Sequence, residues 1–410
     1  MDNIKVLCIY LVLSLAIFGC SSDVEEVEPN NRFTKVYNNE NFDDSFFALD
    51  VKQTADGGYL LLGRKELEDS PYGGVYVIKT DDEGNYQWQA VPTSEFRNPV
   101  PNFIFIDGAY HFVCMAKGTG GNISEGILAR VNESSKIIEI ARIYPDVKNP
   151  LHASETRDGG MLILGYDQGA EESSLSKIGS DKSFTWQTKY AILENQNEAI
   201  FNHLFYVNKR LPFFTGSLED GGYFMNGFSD FTLSVEFVDA NGGKQGAIQG
   251  FRDEGTVSSL VHLSGNQFSM SKYSYTQNFV LPLTEFDPTV VNNIKDLDGN
   301  EFPELAPEPD VRVLRQTING NSYLIYAANS KSNQIVLYAY DEAKLAENGG
   351  EFAFVGTTRV GFSDRFEIAN IIPTEDEGLA VAATTYVGGR FSRLALFKLS
   401  PGDLRKLAGL

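Results

Sequence analysis

The chain has 410 residues, with 34 Lys and Arg against 55 Asp and Glu, so its formal net charge is −21. A hydrophobic fraction of 42% and a charged fraction of 22% are ordinary, which excludes a disordered or fibrous chain. A surface this acidic repels phosphate backbones and argues against a nucleic-acid partner. The 38 Gly, 29 Phe and 19 Tyr, beside 5 Met, favour strands and tight turns.

Lys5 precedes an apolar run over residues 6–18, and Gly19-Cys20-Ser21-Ser22 follows it. The run is too short to cross roughly 30 Å of hydrocarbon as a helix, but it suits the core of an export signal. Ile17-Phe18-Gly19-Cys20 resembles the bacterial lipobox, although Phe18 replaces the small residue usual there. The resemblance implies a signal peptide over residues 1–19, cleavage before Cys20, and lipidation of the Cys20 thiol. The protein would then be held on the outer membrane by acyl chains worth about 0.8 kcal/mol per buried methylene. An ordinary cleaved signal is the alternative.

Residues 20–32 read as a tether. Asp23, Glu25, Glu26 and Glu28, followed by Pro29 and two Asn, repel one another and keep the segment extended. An acidic stretch directly after the acylated Cys also resembles the surface-export signal of Bacteroidota lipoproteins, which implies an outward-facing protein. Cys8 leaves with the signal. Cys114, in Phe112-Val113-Cys114-Met115, has no partner for an internal disulfide and reads as a small core residue.

The remainder, 33–410, repeats. Thr54-Ala55-Asp56-Gly57-Gly58-Tyr59-Leu60-Leu61-Leu62-Gly63 returns as Thr156-Arg157-Asp158-Gly159-Gly160-Met161-Leu162-Ile163-Leu164-Gly165, and more weakly from Thr374 to Ala382. Glu219-Asp220-Gly221-Gly222-Tyr223-Phe224 keeps the turn and the strand. Asp-Gly-Gly supplies the positive φ of a hairpin turn, and the apolar run after it is a buried strand. A second phrase follows at a similar offset, as in Val77-Ile78-Lys79-Thr80 with Tyr86-Gln87-Trp88, and in Ser176-Lys177-Ile178 with Trp186. Each repeat therefore carries four strands. Gly58 and Gly160 are 102 positions apart, and Gly160 and Gly378 are 218 apart, which fits units of about 51 to 54 residues. Further units run through Ile104-Phe105-Ile106, Leu260-Val261-His262 and Tyr323-Leu324-Ile325, for seven in all.

Four-stranded units of this size cannot bury their own faces and must stack in a closed ring, so the predicted fold is all-β: a seven-bladed β-propeller of four-stranded blades. Closure predicts that Arg32 to Tyr37 forms an extra strand beside the last unit, around Leu394 to Leu399. Sustained helical periodicity is absent outside the signal, and residues 341–345 give one turn at most. The repeats resemble the Asp-Gly-Gly-Tyr propeller repeats of Bacteroidota surface lipoproteins, over roughly residues 45 to 400. That resemblance specifies architecture and leaves function open.

No reactive motif stands out. His111, His152, His203 and His262 fall in different repeats without zinc-type spacing, so neither a metal site nor a cofactor is expected. Asp296-Leu297-Asp298-Gly299-Asn300-Glu301 begins like a calcium loop, but Pro307 stands where the bidentate Glu belongs. Glu301 and Glu304 are the remaining acids there. The long polar insertions, 66–74, 117–125, 167–174 and 288–310, are the expected ligand-facing loops, where aromatic side chains would stack on sugars or peptides. The expectation is a non-enzymatic outer-membrane surface protein that binds a glycan or peptide nutrient, or docks on a TonB-dependent importer and its lipoprotein. A structural or adhesive role and a glycan hydrolase or lyase are the alternatives. The ligand and the oligomeric state are not legible.

Overall fold

The computed structural model describes residues 31–37, 44–68, 70–92, 96–117, 123–193, 196–206, 210–250, 255–274, 277–295, 297, 299–308, 310–348, 353–387 and 391–410. The expected signal peptide, Cys20 and the expected tether as far as Asn30 lie outside these residues. From Arg32 onward the chain is one compact unit. It is an all-β propeller.

Strand β1 (Phe33–Tyr37) comes first. A meander follows in β2 (Phe46–Gln53), β3 (Tyr59–Leu67), β4 (Ser70–Thr80) and β5 (Tyr86–Ala90). After β6 (Phe96–Arg97) comes a second meander, β7 (Ile104–Ile106), β8 (Ala109–Lys117), β9 (Ile123–Asn132) and β10 (Ile137–Lys148). Then come β11 (Pro150–Glu155), β12 (Met161–Asp167), β13 (Glu172–Ile178) and β14 (Phe184–Ala191). Helix α1 (Asn197–Phe205) leads to β15 (Phe214–Ser217), β16 (Tyr223–Ser229), β17 (Thr232–Val238) and β18 (Lys244–Gln249). Next are β19 (Thr256–Ser264), β20 (Gln267–Ser274), β21 (Gln277–Glu285), β22 (Val291–Asn293) and β23 (Asn300–Glu301). The chain continues through β24 (Val311–Ile318), β25 (Asn321–Asn329), β26 (Ile335–Asp341), helix α2 (Glu342–Asn348) and β27 (Phe354–Val360). It ends in β28 (Phe366–Pro373), β29 (Leu379–Val387), β30 (Phe391–Leu399) and helix α3 (Pro401–Leu407).

Seven separate four-stranded sheets are expected from the repeats, but the hydrogen-bond ladders define six sheets. Five are four-stranded antiparallel blades, one of them widened by β22, which runs parallel to β18. The sixth has nine strands, because β6 bridges β4 and β8 and so fuses the β2–β5 and β7–β10 meanders. The repeat count missed this fusion because β6 has only two residues and carries no periodic signal.

In each meander the first strand lies innermost. Strand β2 contacts β28, β28 contacts β24, and the contacts continue through β19, β15 and β11 to β7. Apolar cores fill the seams between neighbours, such as Leu62, Val77, Phe112 and Cys114 between the first two meanders. Ala380, Leu394, Tyr59 and Ile78 fill the seam between the last sheet and the first. The ring closes as expected: β1 pairs with β30 from Phe33↔Lys398 to Tyr37↔Leu394. Among the described residues, no helix is long and apolar enough to cross a membrane.

The repeated turn has a physical basis beyond positive φ. In the first copy, Gly57 takes φ +82°. The backbone amide of Gly57 donates to Thr54 O (2.8 Å), and that of Thr54 donates to Gly58 O (2.9 Å). Lys79 on β4 then reaches under the turn and donates to both Asp56 oxygens (2.9 and 2.8 Å) and to Thr80 O (2.9 Å). Lys177 does the same with Asp158 (2.8 Å), Thr156 (2.9 Å) and Ile178 O (3.2 Å), and Lys398 with Asp376 (2.8 Å) and Leu399 O (3.0 Å). Burial pushes the Asp56 carboxyl up, but hydrogen bonds from Lys79, Thr54 and Gly58 outweigh it and bring it down to about 2. The lysines are buried cations, each held by an anion and by turn carbonyls.

Three helices depart from the expectation of one helical turn at most. Helix α3 begins at a capping box, in which Ser400 and Asp403 each bond the other's backbone, with Pro401 in its first turn. That signal was present in Ser400-Pro401-Gly402-Asp403, but seven residues are too few to show a 3.6-residue period. Helix α2 extends the predicted single turn to residue 348. Helix α1 buries only Ile200 and Leu204, so its sequence carries little amphipathic pattern.

Candidate functional site

The innermost strands meet around the axis, where a repeated backbone device aims polar side chains inward. Register shifts interrupt the first strands between Ala48 and Asp50, Pro150 and His152, Val257 and Ser259, and Ile368 and Asn370. A bulge of this kind bends a strand and re-aims the side chain beside it. Asp50, His152 and Asn370 each stand eight residues before the last glycine of their turn (Gly58, Gly160, Gly378). That offset was readable in the repeats, although only alignment on the turn reveals it.

These groups form a belt of hydrogen bonds. Asn370 Nδ2 donates to Asp50 Oδ1 (2.6 Å), and the Phe103 amide donates to Asp50 Oδ2 (2.6 Å). Asn102, held at φ +77° before β7, donates to Ala153 O (2.7 Å) and lies 3.1 Å from His152 Nε2. His152 Nδ1 lies 3.2 Å from Thr215 Oγ1, which is 2.6 Å from Ser154 Oγ. The amide nitrogen of Asn102 can only donate, so Nε2 accepts and the imidazole carries its proton on Nδ1, facing Thr215.

Burial, with the Arg312 charge beside it, pushes His152 down to about 3, while burial pushes Asp50 up to about 6 against its hydrogen bonds. The two act oppositely on stability. His152 contributes stability that is present above pH 6.5 and is lost as pH falls toward 3. Asp50 contributes stability that is complete below pH 3.8 and is lost as pH rises through 6. His152→Asn, which cannot charge, is therefore expected to flatten the acid side of the stability profile between pH 6.5 and 4. The effect should reach roughly 3 kcal/mol, at about 1.4 kcal/mol per pH unit. Thermal melts across that range check it; parallel declines of native and variant protein would refute it.

The belt borders a cavity of about 180 Å³, lined by Asn102, His152, Thr215, Ser258, Arg312 and Asn370 among others. A smaller adjoining pocket of about 40 Å³ shares Pro101, Phe213 and Arg312 with it, and adds Arg64, His203, Arg210 and Asp310. Three guanidinium groups thus converge on the axis of a chain whose net charge is −21. Arg64 is committed: its Nη atoms donate to Leu204 O and Phe205 O (both 2.9 Å) at the C-terminus of α1, to Pro71 O (3.2 Å) and to Asn98 Oδ1 (3.2 Å). Arg312 Nε donates to Ala369 O (2.8 Å), and its Nη2 lies 3.8 Å from Asp310. Arg365 is matched by Glu308 (3.3 Å) and Glu367 (2.7 Å). Arg210 makes no hydrogen bond or ion pair among the described residues. Burial pushes Arg210, Arg64 and His203 down; neighbouring cations add to the effect, while the Asp310 and Glu367 carboxylates oppose it at Arg210 and Glu66 opposes it at Arg64.

A third cavity, about 380 Å³, opens beside α1 between Glu66, Glu68, Tyr72, Phe205 and Tyr206. Tyr72 and Phe205 meet edge to face at 5.1 Å. Of the expected ligand-facing loops, 66–74 is mostly strand, since β3 runs to Leu67 and β4 starts at Ser70. It nonetheless lines this cavity. The 167–174 segment is a turn at the start of β13, and 118–122 lies outside the described residues. The 288–310 arm folds onto the sheets as β22 and β23, buries Leu305 and delivers Asp310 to the axis.

Cys114 is fully buried, and burial raises its thiol, as a core residue requires. His111 contacts Ala109 O (3.0 Å) and His262 contacts Gly265 O (2.7 Å), each in its own hairpin, while His152 and His203 reach the axial cavities. Asp296 and Asp298 lie outside the described residues. Glu301 bonds Gln277, and Glu304 accepts from Tyr338 (2.6 Å). No group of three or more potential metal ligands occurs among the described residues.

No protein-family model matches the chain, and no curated protein matches it. Solved structures do. YCF48 from Cyanidioschyzon merolae is 9% identical with a TM-score of 0.50, over 90% of this chain and 99% of that one, which shows a shared fold. Two looser likenesses are the β-propeller domain of the Trilobed protease from Pyrococcus furiosus and the α-L-arabinofuranosidase Arb93A from Fusarium graminearum, in complex with an iminosugar inhibitor. The first is 10% identical with a TM-score of 0.43, over 87% of this chain and 95% of that one. The second is 9% identical with a TM-score of 0.47, over 91% and 97%. At these identities the likeness concerns architecture alone.

Proposed function

We propose that this is a non-enzymatic binding propeller, anchored to the outer membrane through acylated Cys20 and facing outward. It holds a nutrient, or an importer subunit, at the face that carries α1. The observation that carries the reading is the cavity of about 180 Å³ at the axis, lined by groups from successive first strands and adjoining a smaller arginine-lined pocket. The wider cleft with Tyr72, Phe205 and Tyr206 adds aromatic rings against which a sugar ring can stack.

The test has two arms. Glycan and peptide arrays probed with the purified protein should retain a ligand that is lost when Tyr72 or Phe205 is replaced by Ala. Native protein recovered from outer membrane should carry acyl chains on Cys20 by mass analysis, with a TonB-dependent importer as the expected companion if docking is the role. A bare thiol would remove the anchor, and a blank array with no companion would remove the binding role. Asp310 and Glu367, both pushed up by burial, favour a second reading, a glycan hydrolase or lyase. Turnover on a polysaccharide panel that is abolished by Asp310→Asn would establish it over the first.

A further inference from the structure

The binding reading can be taken one step further, to the chemistry of the ligand at the axis. Lining the joined cavities are three arginines and two histidines, against the single carboxylate of Asp310. Asp310 reaches Arg312 only at 3.8 Å, and Arg210 has no ion-pair or hydrogen-bond partner among the described residues. Confined cations facing one another are stabilised by an anion placed between them, and a guanidinium fork suits two oxygens in one plane.

A second, independent feature lies in the larger cavity. Ser258 sits at the bulge in β19, between Val257↔Lys272 and Ser259↔Ser271, and so has no cross-strand partner. It is 1% exposed, it lines the larger cavity, and its hydroxyl makes no hydrogen bond. A buried hydroxyl in this state is rare and calls for a polar partner. Asn102, Asn370 and Thr215 border the same space. Cationic groups on one side and neutral polar groups on the other suit a molecule with a carboxylate at one end and hydroxyls at the other. Cavities of about 180 and 40 Å³ fall below the 300 Å³ or more of drug-sized sites, which limits the ligand to about one ring.

We propose that the axial cavity is a subsite for one sugar-acid unit, with its carboxylate between Arg210 and Arg312 and a ring hydroxyl on Ser258. This assignment rests on the binding reading above and narrows it. Bulk glycan is held by the aromatic cleft, and acidic units are selected at the axis.

Calorimetric titration with D-galacturonate, D-galactose and inorganic phosphate tests it. Galacturonate is expected to bind at least tenfold more tightly than galactose, since a charge-assisted pair contributes about 1.5 to 3 kcal/mol. Arg210→Gln and Arg312→Gln should each cost about tenfold or more, with Arg312→Lys recovering part of the loss, and Ser258→Ala should cost several-fold. Melting midpoints of the variants identify any that fail to fold, and Arg210→Gln, on a connecting segment, is the variant least exposed to that problem. Equal binding of galactose, preference for phosphate, or native galacturonate affinity in well-folded Arg210→Gln would each overturn the assignment. A neutral oligosaccharide retained on the array while galacturonate fails to bind would overturn it and leave the broader reading standing. A protein that binds nothing would remove both.

Discussion

Replacing residues 33–37 by a Gly-Ser linker of equal length is expected to cost on the order of 5 kcal/mol and to lower the melting midpoint by about 10 °C or more. The size follows from what β1 touches. It supplies the outermost ladder of the last sheet, from Phe33↔Lys398 to Tyr37↔Leu394. It also reaches the first sheet, where Tyr37 OH donates to Gly84 O (3.0 Å), Lys35 donates to Asn85 (2.8 Å), and the Phe33 ring meets Tyr59 edge to face at 6.0 Å. Phe33 and Tyr37 pack into the seam between the last sheet and the first, and Val36 packs into the seam between the last sheet and the β24–β27 sheet. Burial of such side chains contributes about 1.5 to 3 kcal/mol each. A strand that binds both ends of the chain acts on the cooperativity of the whole ring, and without it β30 becomes an exposed edge open to aggregation. Tyr37→Phe isolates the hydroxyl and should cost about 1 kcal/mol, whereas Tyr37→Ala should cost roughly 3 to 5. A linker variant that melts within two or so degrees of native protein would show that the ring is closed by something else.

The seam was legible because ring closure is a topological demand that apolar repeats make on their own ends. The axis was not. Asp50, His152 and Asn370 look like stray polar residues within apolar runs, in Ala48-Leu49-Asp50-Val51, Leu151-His152-Ala153 and Ala369-Asn370-Ile371. A bulge one residue earlier turns them inward, and a bulge leaves no mark in hydrophobic periodicity. The arginines were harder still. Arg64 lies in β3, Arg210 follows α1, and Arg312 begins β24, so 248 positions separate the first from the last. Only the closed ring brings them together. The helices escaped for a different reason: seven to nine residues packed at strand ends take their stability from tertiary contact, and propensity adds little to it.

Gly160→Ala is expected to cost about 3 kcal/mol or more, and Gly222→Ala no more than about 1, although both glycines follow Asp-Gly in the same turn. A Cβ on Gly160 would lie 2.2 Å from Ile178 O and 2.5 Å from Lys177 Nζ. The carbonyl is fixed beside the Met161↔Ile178 pair, and the ammonium is fixed by Asp158 and Thr156, so neither can retreat without breaking a buried hydrogen bond. On Gly222 the nearest atoms are Val238 O at 3.0 Å and Leu218 Cδ1 at 3.2 Å, and the side chain can adjust by tenths of an ångström. The difference traces to a paired substitution between repeats. Where Thr156 and Lys177 stand in one copy, Leu218 and Phe237 stand in the other, and both enter an apolar core. Each repeat satisfies the space under its turn either with a fully bonded cation or with hydrocarbon, and a mixture would leave a buried charge unpaired. Lys177→Met should therefore relieve part of the Gly160→Ala penalty, the part owed to the ammonium, while the clash with Ile178 O persists. A double-mutant cycle on melting free energies reads that coupling directly. Equal losses for Gly160→Ala and Gly222→Ala, or perfect additivity of Gly160→Ala with Lys177→Met, would show that the second glycine serves the backbone alone.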